Sequence, residues 1–137
     1  MELIRIKAGH FVFVARFESE RAPRTCAKFY TMLPYRQRII HVRWSGEGCW
    51  IPLGDLDLDL KYENHTSYPS PGEIILYPGG ISETEILLAY GNVHFASKVG
   101  QLAGNHFLTI VEGRDQLRPL GEYVLWNGAQ DIVFEAK

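Results

Sequence analysis

The sequence lacks any stretch approaching the roughly 18 consecutive apolar residues that a membrane-spanning helix needs. Its first residues, MELIRIKAGH, alternate apolar with charged side chains where a secretory leader would carry an unbroken apolar core. No membrane association is therefore expected, and a cytoplasmic location is the default. Cysteine is scarce: Cys26 and Cys49 are the only two, and they form neither a CxxC pair nor a disulfide framework. Charge of one sign is absent as well, with 14 Lys and Arg against 16 Asp and Glu and a net charge of −2. The nearest thing to a basic patch is Arg36, Arg38 and Arg43, too little to track a phosphate backbone, so no nucleic acid is expected as a partner.

The histidines are equally unhelpful to a metal. His10, His41, His65 and His94 show no ligand-like spacing, and Asp55, Asp57 and Asp59 of DLDLD lack the glycine and terminal glutamate of a calcium loop. A polar strand edge with Leu56, Leu58 and Leu60 turned inward explains that run. Neither a metal nor a cofactor is expected. Gly79-Gly80 lacks the lysine and following helix of a phosphate loop and reads as a turn.

What the sequence does have is a period of two. In HFVFVARFE, Phe11, Phe13, Ala15 and Phe17 fall on one side and Val12, Val14, Arg16 and Glu18 on the other, as in a strand with one core face. Comparable runs recur at 3–6, 38–44, 72–77, 85–90, 106–111 and 131–135. Seven or eight strands in 137 residues predict one mainly β domain over 1–137, a barrel or a sandwich. One segment argues for helix. APRTCAKFYTML, about 22–33, spaces Ala22, Cys26, Phe29, Tyr30 and Leu33 on one face, with Pro23 in the first turn and Pro34 ending it. A second, shorter helix is expected at about 115–121, with Pro119 limiting it to about two turns. Residues 54–71 read as a long excursion with at most a short strand, and WSGEGCW, 44–50, as a Gly-rich bulge or tight turn.

The order of these pieces resembles the cyclophilin fold, a closed eight-stranded antiparallel barrel with helices at its ends. Pro23-Arg24-Thr25 with Phe29 is similar to the start of the first cyclophilin helix. Pro71-Gly72 and the strand after it are similar to the family's PG-strand, and Leu102-Ala103-Gly104-Asn105-His106 through Glu112-Gly113 to its LDGKH…VVEG segment. APRTCAKFY, IIHVRWSGEGCWIPLG, ENHTSYPSPGEIILYPGGISETEI, FASKVGQLAGNHFLTIVEG and VLWNGAQDIVFE look like a family of small bacterial and archaeal proteins with a cyclophilin-like barrel, a domain of unknown function. That likeness spans nearly the whole chain. It implies a fold more firmly than a chemistry.

In cyclophilins a groove on the barrel face binds proline with an arginine, a glutamine and an apolar floor. By resemblance Arg43 takes the arginine's place, within His41-Val42-Arg43 where the family has His-Arg. GGISETEI is similar to the family's GSQFFI, which puts Glu83 at the glutamine and Glu85 at the floor. Gln101 falls where many members have tryptophan, Leu102 and His106 match a pocket leucine and histidine, and Tyr77 and Pro78 lie on the rim. Seating a proline ring against a carboxylate would forfeit about 1.5–3 kcal/mol of apolar burial, so prolyl isomerisation is the weaker expectation.

Read as chemistry, Arg43, Glu83, Glu85 and His106 are the candidate catalytic residues. Arg43 would hold a carboxylate or polarise a carbonyl, and a glutamate would act as general base. Trp44, Glu47 and Trp50 join Tyr77, Pro78, Gln101 and Leu102 as candidate ligand contacts, since aromatic walls with few polar groups suit small ligands. The expectation is a groove that binds, or binds and transforms, a small amide- or carboxylate-bearing metabolite. The alternatives are a peptide-binding or assembly module, a weak prolyl isomerase, and an Arg43–glutamate ion pair that merely closes a barrel end. Whether the chain forms a homo-oligomer is left open.

Overall fold

A computed structural model describes residues 2–137. Eleven strands occur among them: β1 (Leu3–Ala8), β2 (Phe11–Phe17), β3 (Tyr35–Val42), β4 (Gly46–Pro52), β5 (His65–Thr66), β6 (Glu73–Tyr77), β7 (Glu85–Val93), β8 (Ala96–Ser97), β9 (Gly100–Gln101), β10 (Gly104–Glu112) and β11 (Gln130–Ala136). Eight of these pair antiparallel in the order β2-β1-β11-β3-β4-β7-β6-β10, and β10 returns to β2, so the sheet closes into a barrel. Closure leaves the long strands no free edge. β5 adds to the β10 end at Gly104 and Asn105, and β8 with β9 forms a separate two-stranded ribbon.

Alternation fills the barrel. Phe13, Ala15 and Phe17 of β2, Ile4 and Ile6 of β1, and Ile132 and Phe134 of β11 all enter one buried cluster. β6 and β7 differ, because Ile74, Leu76, Ile86 and Leu88 face that interior while Ile75, Tyr77, Leu87 and Ala89 join a second buried cluster on the outer surface. Val42 of β3, Val93 at the end of β7, and Phe95 and Leu102 from the segment that carries β8 and β9 complete the second cluster. Two covered faces are why GEIILY and EILLAY read as continuous apolar runs with no alternation. The excursion folded over these two strands builds the site.

Helix α1 (Pro23–Thr31) keeps to the expected segment, with Ala22 as its N-cap and Phe29 fully buried. The second helix departs from expectation. A 3₁₀ turn at Arg114–Gln116 runs into α2 (Leu117–Asn127), eleven residues instead of two turns. Pro119 lies in the first turn, where the N–H it lacks would have had no intrahelical acceptor, so it starts the helix without stopping it. In WSGEGCW the expected bulge is present as a register shift against β7 between Gly46 and Gly48, and the segment Gly46–Pro52 as a whole is a full barrel strand. The DLDLD run is not a strand edge. It is irregular, with Leu58 buried but Leu56 40% exposed.

α2 packs Gly121 against Tyr90 of β7. A Cβ there would lie 2.4 Å from three carbons of the Tyr90 ring. The ring cannot swing away freely, since its hydroxyl lies 2.6 Å from His41 Nε2 and the Arg118 guanidinium sits 5.4 Å from its centroid. Alanine improves a helix interior by about 1 kcal/mol, whereas overpacking costs about 1–3 kcal/mol. Gly121→Ala is therefore expected to lose up to about 2 kcal/mol, read from the urea midpoint. A gain would show that α2 stands farther from the barrel.

Candidate functional site

Glu85 opens β7, opposite Tyr77 of β6 and Pro52 of β4, on the outward face with Leu87 and Ala89. It is only 5% exposed. Burial first, and the neighbouring Glu83 charge second, push its carboxyl up to about 8, and no hydrogen bond or cation among the described residues opposes them. A mostly neutral carboxyl at neutral pH, held without a partner, faces a cavity of about 480 Å³ lined by Trp44, Trp50, Ser82, Glu83, Glu85, Ser97, Lys98 and Val99.

Each wall has a local cause. Trp50 lies on β4 and packs against the outer cluster; its indole N–H is buried with no acceptor among the described residues. Trp44 follows the end of β3. Its indole N–H donates to the Ala96 carbonyl at 3.0 Å, and Ser45 Oγ donates to the same oxygen at 3.1 Å, which ties the turn to the β8–β9 ribbon. The two rings meet at 74° with centroids 5.9 Å apart. The third wall is the loop 78–84. Tyr77, fully buried, accepts through its hydroxyl oxygen from the Ile81 N–H at 3.0 Å and the Ser82 N–H at 3.2 Å. Thr84 Oγ1 donates to the Leu56 carbonyl at 2.6 Å. Gly79 turns the loop at φ 90°, and a Cβ there would meet Thr84 Oγ1 at 2.8 Å. Pro78, Ser82 and Glu83 also border a wider, open cavity of about 680 Å³ on the other side of this loop.

The structure thus brings Trp44, Trp50, Glu83 and Glu85 to one cavity, with Tyr77 holding the loop that begins at Pro78, and sets Arg43, Glu47, Gln101, Leu102 and His106 apart. Arg43 is exposed and acts on His41, whose imidazole is lowered by burial first and by the Arg43 charge second. Glu47 accepts from the Asn92 backbone N–H at 2.9 Å and lies 3.1 Å from Arg118, beside Tyr90. These contacts hold its carboxyl below the ordinary range. Gln101 Oε1 lies 2.8 Å from His94 Nε2, and Leu102 is buried in the outer cluster. His106 belongs to another network: its Nε2 is 2.7 Å from Thr109 Oγ1, which donates to Glu18 at 2.6 Å, and Glu73 lies 3.9 Å away. Because Thr109 spends its one proton on Glu18, His106 must carry its hydrogen on Nε2. Burial pushes Glu18 upward, but the Thr109 and Arg16 hydrogen bonds outweigh it and hold that carboxyl low. The expected convergence of Arg43 and His106 with the two glutamates does not occur, because Arg43 lies beyond the end of β3 on the His41 side and His106 is tied to Thr109. Lys98, Ser97 and Val99 were not legible as site residues: they sit in an ordinary turn that only the folded ribbon carries to Trp44.

The fold and this cavity define a class: a closed eight-stranded antiparallel barrel with a tryptophan-walled pocket on its outer surface. Residues 4–136 match the model of a family described as protein of unknown function (DUF3830), and the chain belongs to that family. No curated protein matches in sequence. Among solved structures, McbB in complex with tryptophan is similar over 98% of this chain at a TM-score of 0.77 and 19% identity, and the chain spans 44% of that protein. The solution structure of the hypothetical protein AF2241 from Archaeoglobus fulgidus is similar over 99% of this chain and 95% of its own, at a TM-score of 0.67 and 16% identity. At such identities the likeness is one of fold.

Proposed function

We propose that the cavity between Trp44, Trp50 and the ribbon turn binds a small carboxylate- or amide-bearing metabolite, with Glu85 as the group that gives or takes a proton. The observation that carries this reading is Glu85 itself, a buried carboxyl with no partner among the described residues, opening onto a walled space. An unpaired buried polar group is costly, and a ligand that pairs with it recovers that cost on binding. A carboxyl near 8 is also matched to general acid–base work at neutral pH. Lys98 takes the part that the resemblance gave to Arg43, because it is the cation that lines the cavity. McbB, which shares this fold over part of its length, is seen in complex with tryptophan, and that supports a small ligand here.

The test is a panel of small carboxylates and amides, read by melting temperature and by tryptophan fluorescence. A true ligand at about 100 times its Kd stabilises by about 2.7 kcal/mol. Lys98→Ala and Glu85→Gln are each expected to weaken it about tenfold or more. Binding that is unchanged in both variants sinks the site.

A second reading, a peptide-binding or self-associating module, draws on the exposure of Trp44 (56%), Ile81 (69%) and Val99 (66%) near the cavity mouth. Light scattering distinguishes it, since a monomer that captures no partner counts against this reading and leaves the first intact.

A further inference from the structure

Trp44 and Trp50 stand edge to face at 74° and both line the cavity, and an indole offers a cation the negative quadrupole lobe of its face. The hydrogen bond from Trp44 to Ala96 fixes the more exposed ring in that pose before any ligand arrives. The same volume is bordered by Glu83 and Glu85, and Glu85 offers a carboxyl that nothing among the described residues engages. A group that gains from the indole walls and from both carboxyls at once carries positive charge on an apolar surface. A metal ion fits poorly here, because no group of three or more potential ligands clusters among the described residues.

We propose that the Trp44–Trp50–Glu83–Glu85 cavity is an aromatic cage for an organic ammonium group, carried on the same small molecule whose carboxylate reaches Lys98. The inference rests on the ligand site proposed above and specifies its substrate class: an amino acid or betaine-like zwitterion.

The charges facing Glu85 are few. β4 contributes none, β6 contributes the Tyr77 phenol, the 78–84 loop contributes Glu83, and Lys98 of the ribbon turn lines the same cavity without acting on the Glu85 carboxyl. Seating an ammonium beside Glu85 favours its ionised form, so the proton it holds in the free protein leaves to solvent on binding. Affinity for the cation then rises with pH up to about 8 and levels off above it. A neutral or purely anionic ligand that uses the protonated carboxyl shows the opposite sign.

Glycine betaine and 3,3-dimethylbutanoate test this directly. They share shape and carboxylate, and differ only in a cationic nitrogen against a neutral carbon. Calorimetry on the full chain, in two buffers of different ionisation enthalpy, is expected to show betaine binding at least about tenfold tighter, a difference of about 1.4 kcal/mol. It is also expected to show release of close to one proton near pH 7. Trp44→Leu, at a half-exposed position, is expected to remove most of that preference. Equal affinity for the two probes, both lost in Lys98→Ala, overturns the ammonium cage while the carboxylate site stands. Absence of betaine binding at millimolar concentration also overturns the cage, and the carboxylate and amide panel then decides separately whether the cavity binds a ligand.

Discussion

Glu85→Gln is expected to raise the melting temperature by about 10 °C at pH 8 and to leave it nearly unchanged at pH 4. In the folded chain burial and the Glu83 charge hold the Glu85 carboxyl up at about 8, against an ordinary value of 4.5. The folded state therefore keeps a proton that the unfolded chain gives up, and stability falls as pH rises from 4.5 to about 8, then falls no further from this source. At about 1.4 kcal/mol per pH unit the loss reaches about 4 kcal/mol at pH 8. Glutamine keeps the shape and the polar atoms but cannot ionise, so it regains about 3–4 kcal/mol there. That corresponds to about 10 °C for a domain of this size. If the variant and the parent melt together at every pH, Glu85 is ionised and paired in the free protein, and the unpartnered carboxyl on which the binding proposal stands does not exist. A site kept at a cost to stability is what function commonly requires.

Phe29→Ala is expected to cost about 3–5 kcal/mol, the range for removing a fully buried aromatic ring. Phe29 projects from α1 into the barrel interior, where its ring meets Phe107 and Phe134 edge-on at 5.1 Å each and Tyr35 at 5.6 Å. It joins one helix to strands β3, β10 and β11, which are distant in sequence. Urea unfolding should show a lower midpoint with an unchanged slope, meaning that stability changes and the two end states do not. A cost below about 1 kcal/mol would mean that α1 is not seated on the barrel. Phe29→Leu, which fills most of the volume, should lose less.

The barrel itself was legible because its signal is local. Side chains alternate across a strand, so Phe11, Phe13, Ala15 and Phe17 announce one buried face from within seven residues, and all four are buried. Helix α1 is local in the same way, bounded by prolines and spaced on one face. Where the sequence misled, a local rule met a context it does not encode. Pro119 breaks a helix interior but is harmless in a first turn. The two glycines of WSGEGCW marked the bulge at the start of β4, but not that Gly48 pairs with both Val42 and Ala89 inside a barrel strand.

Local patterns in the chain were enough to count the barrel's strands to within one, to place the first helix, and to show two acids beside a Pro-Gly-Gly turn. What those acids face depends on the fold. Trp44, Trp50, Glu85 and Lys98 come from a turn, two strands and a ribbon spread over more than fifty residues, and no short-range pattern links them. Their meeting depends on the sheet order, which puts β4 beside β7, and on the 94–102 excursion folding back over the outer face of β6 and β7. Closure of β10 onto β2 carries His106 and Thr109, both on β10, to Glu18. Period two could say that Glu85 has a face, but the burial that shifts its proton comes from residues that only the fold brings near.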